Sequence, residues 1–273
     1  MNKTKELPLE HKKNSKLRIY GIIISILVLV SFTLIDFSSL ANFNLDNIKT
    51  VFQGLIRPDF AYLYDGSFID GSMEDLLGLM VITVAIAFLG TMIGTILAIP
   101  FTFLSARNLY PKNLQWIPSI GKFILNVLRA FPELVYAIIF VKVVGPGPFA
   151  GALAIGVHHI GMLGKLFTEE MESIEDGPLE AHDSVGAKFW QIIFYGVLPQ
   201  LTAIWTSFSL NHFEIAVRSA ATLGLVGAGG VGAPMIFAIQ QRNWPRVSVI
   251  LISIIIMVSA IDSFAAWLRK KVQ

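Results

Sequence analysis

Among the charged side chains inside long apolar stretches of the sequence, two pairs could contact a charged ligand. Arg129 and Glu133 are four residues apart, and Glu214 and Arg218 have the same separation. On one helix this spacing places both members of a pair on one face, where they can neutralise each other. Ionisable residues at membrane depth usually face the bundle interior or a wet cavity. Two interpretations stay open: the pairs are bridges that fix helix packing, or the two arginines line a route for an anion and the carboxylates hold them in place.

The adjacent residues His158 and His159 raise the question of a metal site, because histidine is a common metal ligand. Neighbouring side chains on a helix point about 100° apart, and no cluster of carboxylates lies nearby in the sequence. The chain has no cysteine, so thiolate metal sites are excluded. We therefore predict no metal site. No serine–histidine–aspartate or paired-carboxylate arrangement indicates a hydrolytic centre, and we predict no catalytic residue.

Residues 227–232 have the G-x-G-x-x-G spacing of a dinucleotide-binding loop. Such a loop requires a preceding strand, a following helix and an acidic residue about 20 positions further on. Here the segment joins two apolar stretches, the next acidic residue is Asp262, and no Lys-Ser/Thr pair follows. We predict that the chain binds no nucleotide. Irregular backbone is tolerated where it lines a cavity, so we interpret four glycines as gate or hinge residues: Gly227, Gly229, Gly230 and Gly232.

The composition predicts that membrane spans position all of these residues. The chain of 273 residues is 54% hydrophobic and only 15% charged, whereas soluble domains carry about 25% charged residues. The net charge of +2 is too small to argue for nucleic-acid binding, and the basic residues are not concentrated in one patch. The basic residues of 1–18 followed by an apolar run resemble a signal peptide, but no small-residue cleavage site follows. We predict a retained first span.

The pattern predicts an all-α membrane protein with about six transmembrane helices. Residues 1–18 form a polar tail, 19–36 a first span, and 37–75 a loop with a short amphipathic helix. That helix lies on the membrane surface or packs against the other helices. Residues 76–268 form the core, and 269–273 form a second tail. Its spans are predicted at about 76–104, 120–144, 149–167, 198–222 and 247–268. Gly90 and Gly94 give the second span a close-packing face, Pro100 is expected to kink it, and Pro132 interrupts the third.

The distribution of basic residues predicts the orientation of these spans. Cytoplasmic loops carry an excess of Lys and Arg. One side of the predicted topology holds both tails, Arg107, Lys112 and Lys188, while the other side holds only Lys49, Arg57, Arg242 and Arg246. Both termini and the polar segment of about 168–199 are therefore predicted to be cytoplasmic.

Within that segment, one set of residues follows the spacing E-A-A-x3-G-x9-I-x-L-P: Glu180, Ala181, His182, Gly186, Leu198 and Pro199. His182 replaces the second alanine and Gly196 replaces the isoleucine. This spacing resembles the cytoplasmic coupling loop of ATP-binding-cassette (ABC) importer permeases, which docks on an ATPase subunit. The small residues permit close backbone approach, and Glu180 offers a carboxylate to a basic partner.

Six further motifs lie in the predicted core: LRAFPELV (128–135), GPGPFAG (145–151), GMLGKLF (161–167), YGVLPQ (195–200), FEIAVRSA (213–220) and LGLVGAGG (223–230). Together they resemble the permease subunit of phosphonate ABC importers over roughly residues 76–267. This subfamily also includes importers of phosphite and related oxyanions.

The resemblance implies a type I importer in the bacterial cytoplasmic membrane. Its expected components are two copies of this permease as a homodimer, two cytoplasmic ATPase subunits and an extracytoplasmic substrate-binding protein. The partner ATPase binds ATP and Mg, so the permease is expected to hold no cofactor. It contacts lipid and a phosphonate-like anion, binds no nucleic acid, and alternates between outward and inward states.

Two alternatives remain from the sequence. Methionine importer permeases resemble this chain in the coupling loop and in a Gly-Ala-Gly-Gly stretch, although they usually lack the first span. An ion-coupled secondary transporter or membrane enzyme is a different class. Secondary transporters usually contain inverted repeats, and the spacing of these spans shows none.

Overall fold

Helices form all of the regular secondary structure in the residues that the computed structural model describes, which are 10–35, 45–63, 75–175, 177 and 184–272. The predicted all-α class is therefore confirmed for these residues. The helices are α1 (Glu10–Leu34), α2 (Leu45–Leu55), α3 (Leu76–Ser105), α4 (Trp116–Ala130), α5 (Glu133–Val144), α6 (Pro148–Glu172), α7 (Leu198–Leu223), α8 (Gly232–Gln240) and α9 (Trp244–Val272).

Shorter helical segments connect these elements. They are 3-10 turns at Phe60–Leu63, Arg107–Leu109, Lys112–Leu114 and Gly224–Val226, a helical turn at Phe189–Gln191 and a π-helical segment at Ile192–Val197 that continues into α7.

Five of the described helical stretches are long and apolar enough to cross a membrane, and α4 with α5 gives up to six. The predicted interruption of the third span at Pro132 is confirmed, and it is a sharp break, because α4 and α5 are separate helices bent by 84°. Proline has no backbone N–H, and its ring disfavours helical geometry at the preceding residue. Phe131 accordingly has an extended backbone (φ −88°, ψ 132°). Proline at position 100, by contrast, lies within α3, which continues to Ser105.

The chain divides into two units, Met1–Thr50 and Val51–Gln273. In the first unit, the apolar window Leu17–Leu34 of α1 is fully exposed. Its 18 residues extend about 27 Å as a helix, which approaches the roughly 30 Å of a bilayer core. The predicted first span is therefore helical and long enough to cross a membrane.

The predicted amphipathic helix in the loop is confirmed as α2. Its end lies in the second unit, where Gly54 contacts Trp244 and the Ser248 hydroxyl donates to the Leu55 carbonyl oxygen at 2.6 Å. Phe52, on the other hand, is exposed. Packing against another helix is therefore confirmed for this end of α2, whose opposite face remains open.

The centre of the second unit is the packing of α3 against α6. A Cβ atom on Gly90 would lie 2.7 Å from the Ile155 Cβ, and one on Gly94 would lie 2.4 Å from the His159 Cβ. Both distances are shorter than van der Waals contact, so only glycine permits this approach of the two backbones. The predicted close-packing face of the second span is confirmed.

α7 and α9 pack beside this central pair. Trp205 on α7 stacks on Phe167 of α6, with ring centroids 4.7 Å apart and planes 15° apart. Both side chains are buried, and they join the ends of α6 and α7 on either side of the predicted coupling segment. This contact holds together the two helices that precede and follow the segment.

Candidate functional site

The predicted coupling segment is described only in part. Glu180, Ala181 and His182 lie outside the described residues, so the predicted role of these three positions is not tested. Gly186 has φ +73°, a left-handed conformation that L side chains rarely adopt. Leu198 and Pro199 are the first residues of α7, directly after the π-helical segment Ile192–Val197.

The second half of this segment re-enters a helix through a defined cap. The backbone N–H of Lys188 donates to Gln191 Oε1 at 2.7 Å, and the N–H groups of Gln191 and Ile192 donate to the Lys188 carbonyl. A side chain that reaches back in this way satisfies an amide at the helix start. The exposed large apolar side chains of this region are Val185, Trp190, Phe194 and Tyr195. The region thus presents an apolar surface beside a capped helix start.

The end of α6, which leads into the segment, is fixed by an ionic contact that the sequence did not indicate. Glu172 accepts from Lys122 Nζ at 2.8 Å and from the Arg107 backbone N–H at 2.7 Å. The Asn108 side chain donates to the Met171 carbonyl at 2.7 Å. These partners are 50 to 65 residues apart in the chain, so no local spacing could reveal them. They tie α6 to α4 and to the loop after α3.

The predicted pairing of Arg129 with Glu133 is wrong. Arg129 is the penultimate residue of α4 and Glu133 is the first residue of α5, on opposite sides of the break at Pro132. Arg129 Nε instead donates to Asn126 Oδ1 at 3.2 Å. A spacing of four residues gives a common face only when the helix is continuous.

The predicted pairing of Glu214 with Arg218 is also wrong, although both lie on α7 as expected. Glu214 forms a close ion pair with Arg269, and Arg218 Nη2 lies 3.5 Å from Asp262 Oδ1. Both partners are on α9, seven residues apart, and therefore on one face of that helix. The two pairs join α7 to α9, which is the packing role that was one of the two interpretations.

Two side chains complete the backbone hydrogen bonds at the break between α4 and α5. The Leu128 carbonyl lies four residues before Pro132, which has no N–H to donate. The Tyr136 hydroxyl donates to that carbonyl at 2.7 Å. His158 Nδ1 is 3.2 Å from the Phe131 carbonyl oxygen. The break therefore leaves neither of these two carbonyl oxygens without a hydrogen-bond donor, and the surrounding side chains stabilise it.

The glycine-rich run forms a compact turn. Gly227, Gly229 and Gly230 have φ between +80° and +82°, whereas Gly232 begins α8. A Cβ atom on Gly232 would lie 2.3 Å from the Ala221 carbonyl oxygen. The turn is held by a hydrogen bond of 2.9 Å from the Gly147 N–H to the Gly227 carbonyl. Their role as gate or hinge residues stays a prediction.

The two adjacent histidines belong to a longer row of rings. His159 lies edge-on to His212 with centroids 5.2 Å apart, and His158 lies 6.2 Å from His159. Tyr136 lies 6.5 Å from His158. The sequence singled out only the adjacent pair, because His212 is far from His159 in the chain and reaches it only through the packing of α7 on α6.

Comparison with known proteins identifies the class to which this arrangement belongs. Residues 98–273 match the family described as the binding-protein-dependent transport system inner membrane component. The chain is 33% identical over 237 residues to the phosphite transport system permease protein PtxC of Stutzerimonas stutzeri, covering 87% of this chain and 82% of that protein. It is 37% identical over 221 residues to the phosphate-import permease protein PhnE of Mycolicibacterium smegmatis, covering 81% of this chain and 40% of that protein.

The fold is also that of a solved transporter. The chain matches a chain of the MetNI methionine ABC transporter in an inward facing conformation with a TM-score of 0.63 and 20% identity, over 72% of this chain and 96% of that one. This likeness confirms the predicted importer permease fold. The chain is a multi-pass membrane protein and belongs to the family of binding-protein-dependent transport system inner membrane components.

Proposed function

We propose that the chain is the permease subunit of an ATP-driven importer for phosphite, phosphonate or a related phosphorus oxyanion. The observation that carries this proposal is the 33% identity to a phosphite permease over 87% of the chain. The match extends well beyond the coupling segment, so it includes the helices that would surround a ligand. The methionine importer shares the fold at only 20% identity, which gives no support for methionine as the ligand.

The proposed assembly contains two copies of this permease, two cytoplasmic ATPase subunits and an extracytoplasmic binding protein. Membership of a binding-protein-dependent family supports the binding protein and the ATPase. Both termini and residues 168–199 are cytoplasmic in this proposal, in agreement with the larger number of Lys and Arg on that side of the predicted topology, most of which lie in the two tails. The exposed apolar surface around Trp190 and Tyr195 would then lie where an ATPase subunit can cover it.

Coupling in this proposal proceeds from the ATPase through the segment to the helices on either side of it. Closure of the ATPase dimer moves the two Glu180 segments together and turns the permease pair outward, and hydrolysis resets the inward state. The contact of Glu172 with Lys122 supports this route, because it transmits a displacement of α6 to α4. The stacking of Trp205 on Phe167 does the same between α7 and α6.

The permease performs no bond chemistry in this proposal, and ATP with Mg is bound by the partner ATPase. Arg129 and Arg218 are candidate contacts for the anion during its passage. Arg218 is already balanced by Asp262 at 3.5 Å, so the anion would compete with a carboxylate for it. Such competition suits transport, because binding must be weak enough for the ligand to leave.

The ligand is tested by uptake into proteoliposomes that contain the full complex with its cognate binding protein and ATP. We expect uptake of phosphite or methylphosphonate, and no inhibition of that uptake by excess methionine. Complexes without ATP serve as the control. ATP-dependent uptake of methionine with none of either phosphorus compound would overturn the proposed ligand class.

The coupling role is tested by Glu180→Lys. A lysine cannot accept the charge-assisted hydrogen bond that a basic ATPase residue would donate, a contact of about 1.5–3 kcal/mol. We expect the variant to insert in the membrane at normal levels but to lose co-purification with its ATPase. Lys188→Ala, at a position of the same segment where the coupling-loop spacing specifies no residue, is the control. Normal assembly and transport by the Glu180→Lys complex would contradict the assignment.

A further inference from the structure

A cavity of about 280 Å³ lies where the break between α4 and α5 meets α6 and α7. Its polar lining is unusual for a membrane protein, because it contains three histidines, one carboxylate and one hydroxyl. With the proline at the break, the residues concerned are Pro132, Glu133, His158, His159, His212 and Ser219. Neither the coupling segment nor the ion pairs between α7 and α9 contribute to this lining.

The hydrogen bonds of the histidines fix which ring nitrogen carries a hydrogen. His212 Nδ1 lies 3.2 Å from the Phe208 carbonyl oxygen, and a carbonyl oxygen can only accept. The Nδ1 atom therefore carries the hydrogen, and a neutral His212 has a lone pair on Nε2. His158 Nδ1 faces the Phe131 carbonyl at 3.2 Å, so the same assignment holds there.

Two of these histidines hold buried nitrogens that lack a partner. His159 is 1% exposed and His212 is 4% exposed. Within the described part of the chain, neither His159 Nδ1 nor His212 Nε2 has a hydrogen-bond partner. Buried polar atoms are nearly always satisfied, and an unsatisfied one requires an explanation such as a ligand. The cavity that both rings line is the place for that ligand.

The charges and acceptors around the cavity define the chemistry of the ligand. The Nε2 lone pairs and the Glu133 carboxylate require a hydrogen-bond donor. The start of α5, at Pro132 and Glu133, carries the positive end of the helix dipole, which favours a negative group there. In the described residues, moreover, no group of three His, Cys, Asp or Glu side chains could hold a metal ion. An anion that retains an O–H group can donate a hydrogen bond to the acceptors and place its negative oxygens at the start of α5.

We propose that this histidine cavity receives the phosphorus oxyanion inside the permease and selects the singly protonated form over fully ionised anions such as sulfate. The P–OH group donates to His212 Nε2 or to Glu133, while the negative oxygens accept from the Ser219 hydroxyl and lie near the start of α5. Sulfate has no O–H at neutral pH, so it would place a bare charge against these acceptors. This inference rests on the proposed function and adds to it the place in the permease where the ligand binds.

The test measures equilibrium binding of radiolabelled inorganic phosphate to the full permease–ATPase complex in lipid nanodiscs, without binding protein. We expect measurable binding that phosphite displaces and equimolar sulfate does not. His212→Phe keeps an aromatic ring but removes both nitrogens, and it should weaken binding about tenfold or more. Asn211→Leu changes the neighbouring exposed residue of α7 and should leave the Kd unchanged.

Ser219→Ala and His212→Gln are measured in parallel, so that a folding defect in one variant does not decide the result. Ser219→Ala should weaken phosphate binding, and His212→Gln, which retains a polar atom, should bind better than His212→Phe. Equal Kd values in all variants, displacement by sulfate, or no binding to the wild type would overturn the proposed site. Uptake of phosphite by the same wild-type complex with its binding protein is a separate measurement. Its failure would overturn the proposed function instead.

Discussion

At the scale of single residues, the charged side chains of α7 show how far helical spacing can identify an ion-pair partner. The sequence correctly placed Glu214 and Arg218 on one helix. One of the two interpretations was that these charges fix helix packing. Their partners, Asp262 and Arg269, were not predictable because α9 reaches α7 only through the tertiary fold. Pairing across helices satisfies each charge as well as pairing within one helix, and sequence spacing cannot distinguish the two.

The Glu214–Arg269 pair gives a stability prediction. Glu214 has a side chain only 13% exposed, so Glu214→Gln would leave the Arg269 guanidinium partly buried without its counter-ion. We expect a loss of about 1–3 kcal/mol in the free energy of unfolding, measured as a lower thermal midpoint of the purified complex. Glu169→Gln removes an exposed pair with Lys165 and should cost less than about 1 kcal/mol. Equal losses in both variants would show that the α7–α9 pair is no stronger than a surface pair.

The glycines of α3 give a second prediction at this scale. An alanine Cβ at Gly94 would lie 2.4 Å from the His159 Cβ, so α3 and α6 would have to separate. We expect Gly94→Ala to destabilise the protein by about 1–3 kcal/mol. Gly21 lies in α1, where an added Cβ atom would meet nothing within 4 Å, and Gly21→Ala should be neutral or slightly stabilising. Thermal unfolding in detergent distinguishes the two, and a neutral Gly94→Ala would contradict the close packing of α3 and α6.

At the scale of elements, hydropathy predicted the long spans and the position of the broken one, but not the angle of the break. Long apolar runs such as α3 carry their own signal, because every residue of the run favours the membrane. Pro132 was recognised as an interruption, yet the sequence did not indicate an 84° bend. The carbonyls freed at the bend are bonded in part by tertiary contacts, because Tyr136 donates from the next turn of the chain and His158 donates from α6.

The break itself can be tested with Tyr136→Phe. The variant keeps the ring but leaves the Leu128 carbonyl without the hydroxyl that replaces its missing helical donor. We expect a loss of about 1 kcal/mol in stability and faster amide hydrogen exchange in residues around the break. Tyr195→Phe, at a site 73% exposed, is the matched control. Identical exchange in both variants would mean that the hydroxyl does not maintain the bend.

At the scale of the whole molecule, the positive-inside rule predicts an orientation that cysteine labelling can measure. The chain has no native cysteine, so single cysteines report without background. Val185 and Gln53 are both exposed and lie in segments predicted to be on opposite sides. In spheroplasts, a membrane-impermeant maleimide should label Gln53→Cys. Val185→Cys should react only after the membrane is permeabilised.

Labelling of Val185→Cys in sealed spheroplasts would reverse the proposed topology and remove the coupling segment from the ATPase. Labelling of both positions only after permeabilisation would contradict the predicted position of α2 while leaving the coupling segment in the cytoplasm. The full-length complex should be used, because both termini contribute to the charge asymmetry.

The direct backbone contact between α3 and α6 also limits the ways in which the second unit can change shape. Gly90 and Gly94 meet α6 at distances that leave no room for an added methyl group. If α3 slid along α6 by one helical turn, about 5.4 Å, in one direction, Ile86 would take the place of Gly90 against α6. If α3 slid in the other direction, Ala98 would take the place of Gly94 against α6. The two helices must therefore travel as one rigid body during any transport cycle, and relative motion is left to the helices around them.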